Sequence, residues 1–243
     1  MNSFDYSSEE IDKEIDKLEL FMSGIELDSK LYRDRTVEED FNGILNPSIL
    51  FNDLVFEKKI YVNYPEFWDL YYGDADRINL LDKLYDSRYK YMTKENYIKG
   101  VKARIYRAYF GFLTEYNSFL KILKVFGKDA VTRSVRNDCR GVDITVKYNN
   151  EVYHIHIFVD TPISRKYVDD KINKKCNTML EGIHVYMPYS ISHYKDTIHR
   201  GNKLKGGVYV FPEKYVLYFK GEIDKGNLKN RIVMAGNDGL FVY

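Results

Sequence analysis

Residues 136–160, RNDCRGVDITVKYNNEVYHIHIFVD, decide how the rest of the chain is read. Over 142–148 and again over 152–159, β-branched and aromatic residues alternate with polar ones, the period of two of a half-buried strand. Asn149-Asn150 stands between the two runs, and asparagine tolerates the positive φ that a tight hairpin turn demands. The stretch therefore predicts an antiparallel hairpin, preceded by another extended run over Val131–Val135. On the return strand, alternation places His154, His156, Phe158 and Asp160 on one face and Ile155, Ile157 and Val159 on the other. Asp138 closes one strand, and Asp143 opens the next after the turn at Gly141.

Upstream of the hairpin the period is helical. Ile98, Val101, Ile105, Phe112, Tyr116, Phe119 and Leu123 recur at turns of 3, 4 and 7 residues, predicting one long helix from Thr93 to Gly127. Ile11, Ile15, Leu18 and Met22 predict an amphipathic helix over 8–22, capped by Ser7 or Ser8. Residues 34–47 read as an irregular excursion, and Pro65 suits the first turn of a helix over 65–72 because its missing N–H costs nothing there. Downstream, residues 164–180 predict a polar helix and 182–187 a buried strand. Residues 206–219 predict two short extended pieces broken at Pro212. The expected fold is one α/β domain over 1–243, a mixed sheet flanked by helices, with a helical N-terminal annex over 1–92 and a core over 93–243.

Only Cys139 and Cys176 are present, with no CxxC pair, which excludes a disulfide framework or a thiolate zinc site. No run approaches the roughly 18 apolar residues of a membrane span, and the first 20 lack a signal peptide's apolar core, so a cytoplasmic location is expected. Net charge is +1, but residues 1–86 carry 21 acidic against 9 basic side chains and residues 87–243 carry 15 against 28. The basic part suits a polyanion, since phosphate neutralisation releases counterions.

Phosphodiester hydrolysis calls for a divalent cation held by carboxylates on rigid elements. Asp138 and Asp143 offer such a pair. In nucleases of the PD-(D/E)xK type, an aspartate on the first hairpin strand faces a D/E-x-K pair on the second, whose lysine assists the attacking water. Six segments together extend the likeness: YRDRTVEEDFNGILNP (32–47), YPEFWDLYY (64–72), KARIYRAYFGFLTEY (102–116), DCRGVDITV (138–146), HIHIFVDTPISRK (154–166) and GGVYVFPEKYVL (206–217). In this order they resemble the TaqI family of type II restriction endonucleases.

That resemblance implies a PD-(D/E)xK nuclease-like fold and an Mg²⁺-dependent enzyme of a restriction-modification system. It would cut both strands of DNA at a short palindrome, TCGA in the family's name-giving member, and act as a homodimer because a palindrome favours two symmetry-related sites. Asp143 matches the family's principal metal-binding aspartate, Asp138 the second acidic residue, and Glu66 a glutamate able to complete the cluster. One departure stands out. Where the family reads Q-x-K-K, this chain has His156-Ile157-Phe158-Val159, so the lysine is missing. Lys166 and His156 are the leading replacements, ahead of Lys147, which lies roughly 13 Å further along its strand, and of His154. A DNA-binding protein of the same fold without cleavage is the rival reading, and a nuclease acting on RNA or nucleotides is a third.

DNA contact is expected from 164–175 and 193–205, through Arg165, Lys171, Lys174, Lys195, Arg200 and Lys203, most of them toward phosphate. His193 and His199, six apart, form no recognisable metal pair.

Overall fold

The computed structural model describes residues 7–133, 142–175, 180–191 and 196–242. Asp138, Cys139, Cys176, His193 and Lys195 lie outside the described residues, as do the Lys174 side chain and the end of the first expected strand. The chain groups into two compact units. One is helical, Phe21–Thr114 with Lys205–Val208; the other holds the sheet, Met1–Leu20, Glu115–Leu204 and Tyr209–Tyr243. The long helix runs unbroken through Lys94–Phe126. No helix among the described residues is long and apolar enough to cross a membrane.

In chain order the helices are α1 (Ser8–Ser23), α2 (Ser29–Arg33), α3 (Pro47–Phe51), α4 (Tyr64–Tyr72), α5 (Ala75–Leu84) and α6 (Lys94–Phe126), followed within the sheet unit by α7 (Pro162–Lys175) and α8 (Glu213–Asp224). Ser7 caps α1 reciprocally with Glu10. The helical unit is held by aromatic rings whose polar ends find backbone partners. Tyr64, Tyr71 and Tyr109 bury their rings and donate to the carbonyls of Lys102, Leu45 and Val62 at 2.5, 2.7 and 2.6 Å. Buried tyrosine hydroxyls need such acceptors, and these tyrosines are packing residues.

The sheet has six strands in the order β1 (Val131–Thr132), β2 (Ile144–Tyr148), β3 (Glu151–Val159), β4 (Ile183–Tyr189), β7 (Ile232–Ala235) and β8 (Phe241–Val242). β5 (Asn202–Lys203) and β6 (Tyr209–Val210) form a separate pair. β1, β2 and β3 are antiparallel; β3, β4 and β7 are parallel; β8 returns antiparallel. Asn149 and Asn150 make the β2–β3 turn at φ +49° and +63°, the two positive values that a two-residue hairpin requires.

One face of the sheet carries Val146, Ile155, Val185 and Met187, all completely buried. Phe126 of α6 packs on Tyr148 at 5.3 Å, and Phe219 of α8 on Tyr153 at 5.9 Å, so both helices cover this face.

The expected second extended piece within 206–219 is corrected: from Glu213 the chain is helical. Residues KYVLYF have strand-like composition, but Tyr215, Val216, Phe219 and Ile223 recur at helical spacing and are all buried. Burial against the sheet overrides local propensity. Pro212, which begins the helix as its N-cap, needs no N–H partner there.

Phe219→Ala removes a fully buried ring wedged against Phe126, Tyr153 and Phe241. Urea denaturation followed by far-UV circular dichroism is expected to show a loss of about 3–5 kcal/mol.

Candidate active site

The other face of the sheet is chemically different. Thr145 pairs with His154 across β2 and β3; His154 and His156 pair with His184 and Tyr186 across β3 and β4. Side chains of opposed residues share a face, so the pairing gathers three imidazoles, a threonine and a tyrosine on one surface. The surrounding positions, Asp143, Phe158, Ile232 and Met234, are half-buried.

Asp143 stands just before β2, where the ladder has slipped. Its N–H donates to the Ile155 carbonyl at 3.1 Å, and its Oδ2 accepts from the Ile157 N–H at 2.6 Å. The carboxylate thereby replaces a backbone acceptor and is itself fixed in direction.

The imidazole hydrogen bonds determine the tautomers. His184 Nε2 lies 2.9 Å from the Leu180 carbonyl, which can only accept, so this nitrogen carries the proton. His184 Nδ1 then accepts, and His156 Nε2, 2.9 Å away, must donate to it. By the same logic His154 donates from Nε2 to the Glu181 carbonyl and accepts on Nδ1 from the Thr145 hydroxyl. Burial lowers the pKa of both His154 and His184 against the carbonyl bonds that raise it, and for His184 the charge of Arg231 adds to the lowering. Tyr186 stacks on His156 with centroids 4.2 Å apart and planes 9° apart. Burial, reinforced by the nearby Asp143 charge, pushes the Tyr186 hydroxyl up to about 12.

A second cluster lies at the C-terminal ends of the parallel strands. Asp160, just past β3, accepts from Arg165 Nε at 2.5 Å and pairs with His199 Nε2 at 2.8 Å. Arg165 also donates to the carbonyls of Ala235 and Gly236, both at 2.9 Å. Burial opposes ionisation of Asp160, but its hydrogen bonds and the charges of Arg165 and His199 outweigh it and hold the carboxyl below its ordinary value. Gly239, at φ +85°, lies so close to His199 that a Cβ there would stand 2.3 Å from the ring.

The other residues singled out from sequence are dispersed. Glu66 belongs to the helical unit, where its carboxylate accepts the Asn63 N–H at 3.1 Å in a capping box at the start of α4. His154 is enclosed in the network just described. Lys166 is exposed and Lys171 half-buried, both on α7. Lys147 is exposed toward the hairpin end of β2. Arg200 is half-buried and bridges to Ser190; Lys203 is exposed on β5. Arg165, expected at DNA, has its guanidinium engaged by Asp160 and two carbonyls. His184, Tyr186 and the Asp160–His199 pair were not anticipated. The alternation of His184 and Tyr186 in IHVYM is a readable signal, but only the parallel register shows that they meet His154 and His156.

No protein-family model, curated protein or solved structure matches the chain. Among the described residues, no three His, Cys, Asp or Glu side chains converge as a metal site. Asp143 is a hard oxygen donor suited to a cation such as Mg²⁺, with His156 as a neighbouring nitrogen base.

Two outcomes follow from these shifts. His154 and His184, neutral in the fold, take up protons more readily when unfolded, so stability falls as pH drops below their ordinary value of 6.5. Denaturant midpoints at pH 5.5 are expected below those at pH 8; equal midpoints overturn the assignment. Asp160→Asn, which leaves Arg165 without its anionic partner, should cost about 3 kcal/mol at neutral pH. That penalty shrinks as pH falls from the ordinary value of 3.8, where the unfolded chain takes up the proton, through the lower native value, where Asp160 in the fold is protonated too.

Proposed function

We propose that the chain is a divalent-metal-dependent endonuclease of the restriction type. It would cut double-stranded DNA at a short, TCGA-like palindrome and act as a homodimer. One arrangement supports this reading: Asp143, half-buried just before β2, is held by the Ile157 N–H of β3, the strand that also carries His156. An aspartate on the first hairpin strand facing the second is what the TaqI-family resemblance leads one to expect.

Asp143, with Asp138, would hold Mg²⁺. When bound, the cation polarises the phosphoryl oxygen and lowers the pKa of water. The chain's own groups supply the rest. The backbone N–H of Ile157 orients the Asp143 carboxylate. His156 would serve as the base, its ring orientation fixed by the bond from Nε2 to His184. Phe158 cannot perform the missing lysine's part. Lys166 and Lys171 on α7 and Lys203 on β5 suit phosphate contact. Glu66 is proposed here only for its cap.

The rival reading, a DNA-binding protein without cleavage, also has an observation in its favour. His156 is enclosed, 7% exposed, and bonded through Nε2 to His184, and Phe158 occupies the lysine's position.

The test is incubation of the purified protein with unmethylated plasmid and millimolar Mg²⁺, beside Asp143→Asn. Asparagine keeps an acceptor for the Ile157 N–H and removes the charge, so the variant should fold. Discrete fragments from the wild type are expected, with a loss of about 100-fold or more in the variant, beyond the usual effect of losing an outer partner of a ligand. Intact plasmid with both Mg²⁺ and Mn²⁺, together with a shifted band in a binding gel, sinks the nuclease and leaves the DNA-binding protein.

A further inference from the structure

The helical unit contains a cavity of about 580 Å³ that no part of the proposed nuclease chemistry uses. Ligand sites commonly occupy about 300–1,000 Å³, with apolar walls and a few placed polar groups. Here the walls are Phe21, Ile25, Leu31, Tyr64 and Tyr106. Backbone contacts hold one of them in place. The Leu27 N–H donates to the Gly206 carbonyl at 3.1 Å, and Gly206 approaches so closely that a Cβ there would stand 1.4 Å from the Ile25 carbonyl oxygen. Tyr64 and Tyr106 stand nearly perpendicular, at 77°, with centroids 4.5 Å apart. Tyr64 gives its hydroxyl proton to the Lys102 carbonyl, and the Tyr106 hydroxyl accepts the Asp28 N–H at 2.7 Å. The polar ends of both rings are thus engaged by backbone, and what remains to meet a ligand is chiefly π surface.

Two carboxylates complete the lining, those of Glu26 and Asp28. Asp28 spends one oxygen on the N–H groups of Lys30 and Leu31 and keeps the other free, and Glu26 is exposed. Among the described residues neither carboxylate forms an ion pair. Lys102 also lines the cavity, but its ammonium lies 5.6 Å from the centroid of Trp68, a ring outside the wall. Uncompensated carboxylates beside aromatic rings favour a cation, which the rings attract through their quadrupoles and the carboxylates through charge. A phosphate or carboxylate ligand would meet Glu26 and Asp28 at like charge. We propose that this cavity binds an organic cation: an ammonium group on an apolar or aromatic body, the body against Phe21, Ile25 and Leu31 and the ammonium toward Glu26, Asp28 and the tyrosine rings. The lining belongs wholly to the helical unit, so the inference goes beyond the nuclease reading and does not depend on it.

The experiment is calorimetric titration of the full chain with phenethylammonium, phenethyl alcohol and hydrocinnamate, which share an aromatic body and differ in charge. The ammonium is expected to bind about 10-fold more tightly than the alcohol, the scale of a hydrogen bond to a charged group, and hydrocinnamate not to bind. The double variant Glu26→Gln/Asp28→Asn should lose that advantage while binding the alcohol as the wild type does, because asparagine caps α2 as well as aspartate. Phe21→Leu keeps the bulk, removes the π system and should weaken the ammonium about 3-fold. Thermal melts accompany each variant, and Glu26→Gln alone, a change at an exposed side chain, makes the same comparison if the double variant melts early. Equal affinity for the ammonium and the alcohol, tighter binding of hydrocinnamate, or no binding of any of the three overturns the proposal. Ammonium binding unchanged by loss of the carboxylates overturns it too. Failure of plasmid cleavage bears on none of these outcomes.

Discussion

The pairing of Ile144 with Ile155 is the constraint on which the sheet unit depends. Side chains alternate along a strand, so a slip of one residue would carry His154 and His156 into the apolar layer against Phe126 and Phe219 and put Ile155 on the polar face. The cost of burying imidazoles there, set against the hydrophobic gain of Ile155, Val146 and Val185, selects one register. The tight Asn149-Asn150 turn enforces the same choice locally. Sequence period and turn chemistry thus agree, and the polar face is a by-product of packing the apolar one.

That polar face is nevertheless costly. Three histidines at 5%, 7% and 1% exposure are accommodated only because each ring finds a partner: Thr145, Glu181 and Leu180 at the edges, and His156 with His184 in the middle. Desolvation favours the neutral form of His154 and His184, and the Nδ1 acceptor of His184 makes His156 Nε2 a donor. The arrangement of these rings is therefore a consequence of how buried polar groups must be satisfied.

How far the sequence disclosed this can be judged residue by residue. The long helix over Lys94–Phe126, the Ser7 cap and the β2–β3 hairpin were legible because each is written in a local period or a turn residue. The helix after Pro212 was not, since KYVLYF favours a strand and only contact with the sheet makes it helical. Asp143 was legible from its place before the hairpin. Tyr186 and His184 were not, because parallel neighbours joined through α7 are set by the crossover and leave no local trace. Arg165 was assigned by composition to a basic segment, whereas in the fold its guanidinium engages Asp160 and the carbonyls at the end of β7.

The two polar clusters share β3, and this links stability to the site. Asp160 lies four residues beyond His156, about 13 Å at strand rise, too far for the clusters to merge. Yet Arg165 fastens the end of β3 to the carbonyls of Ala235 and Gly236, while His199, whose backbone carbonyl accepts from Ser190, fastens it beside β4. The same strand presents His156 and the Ile157 N–H that aims Asp143. Geometry at a reacting centre is held best on elements whose ends cannot shift, and here the clamp and the presenting residues lie on one strand. The carboxylate of Asp160 thus helps hold the strand whose Ile157 N–H fixes the carboxylate of Asp143.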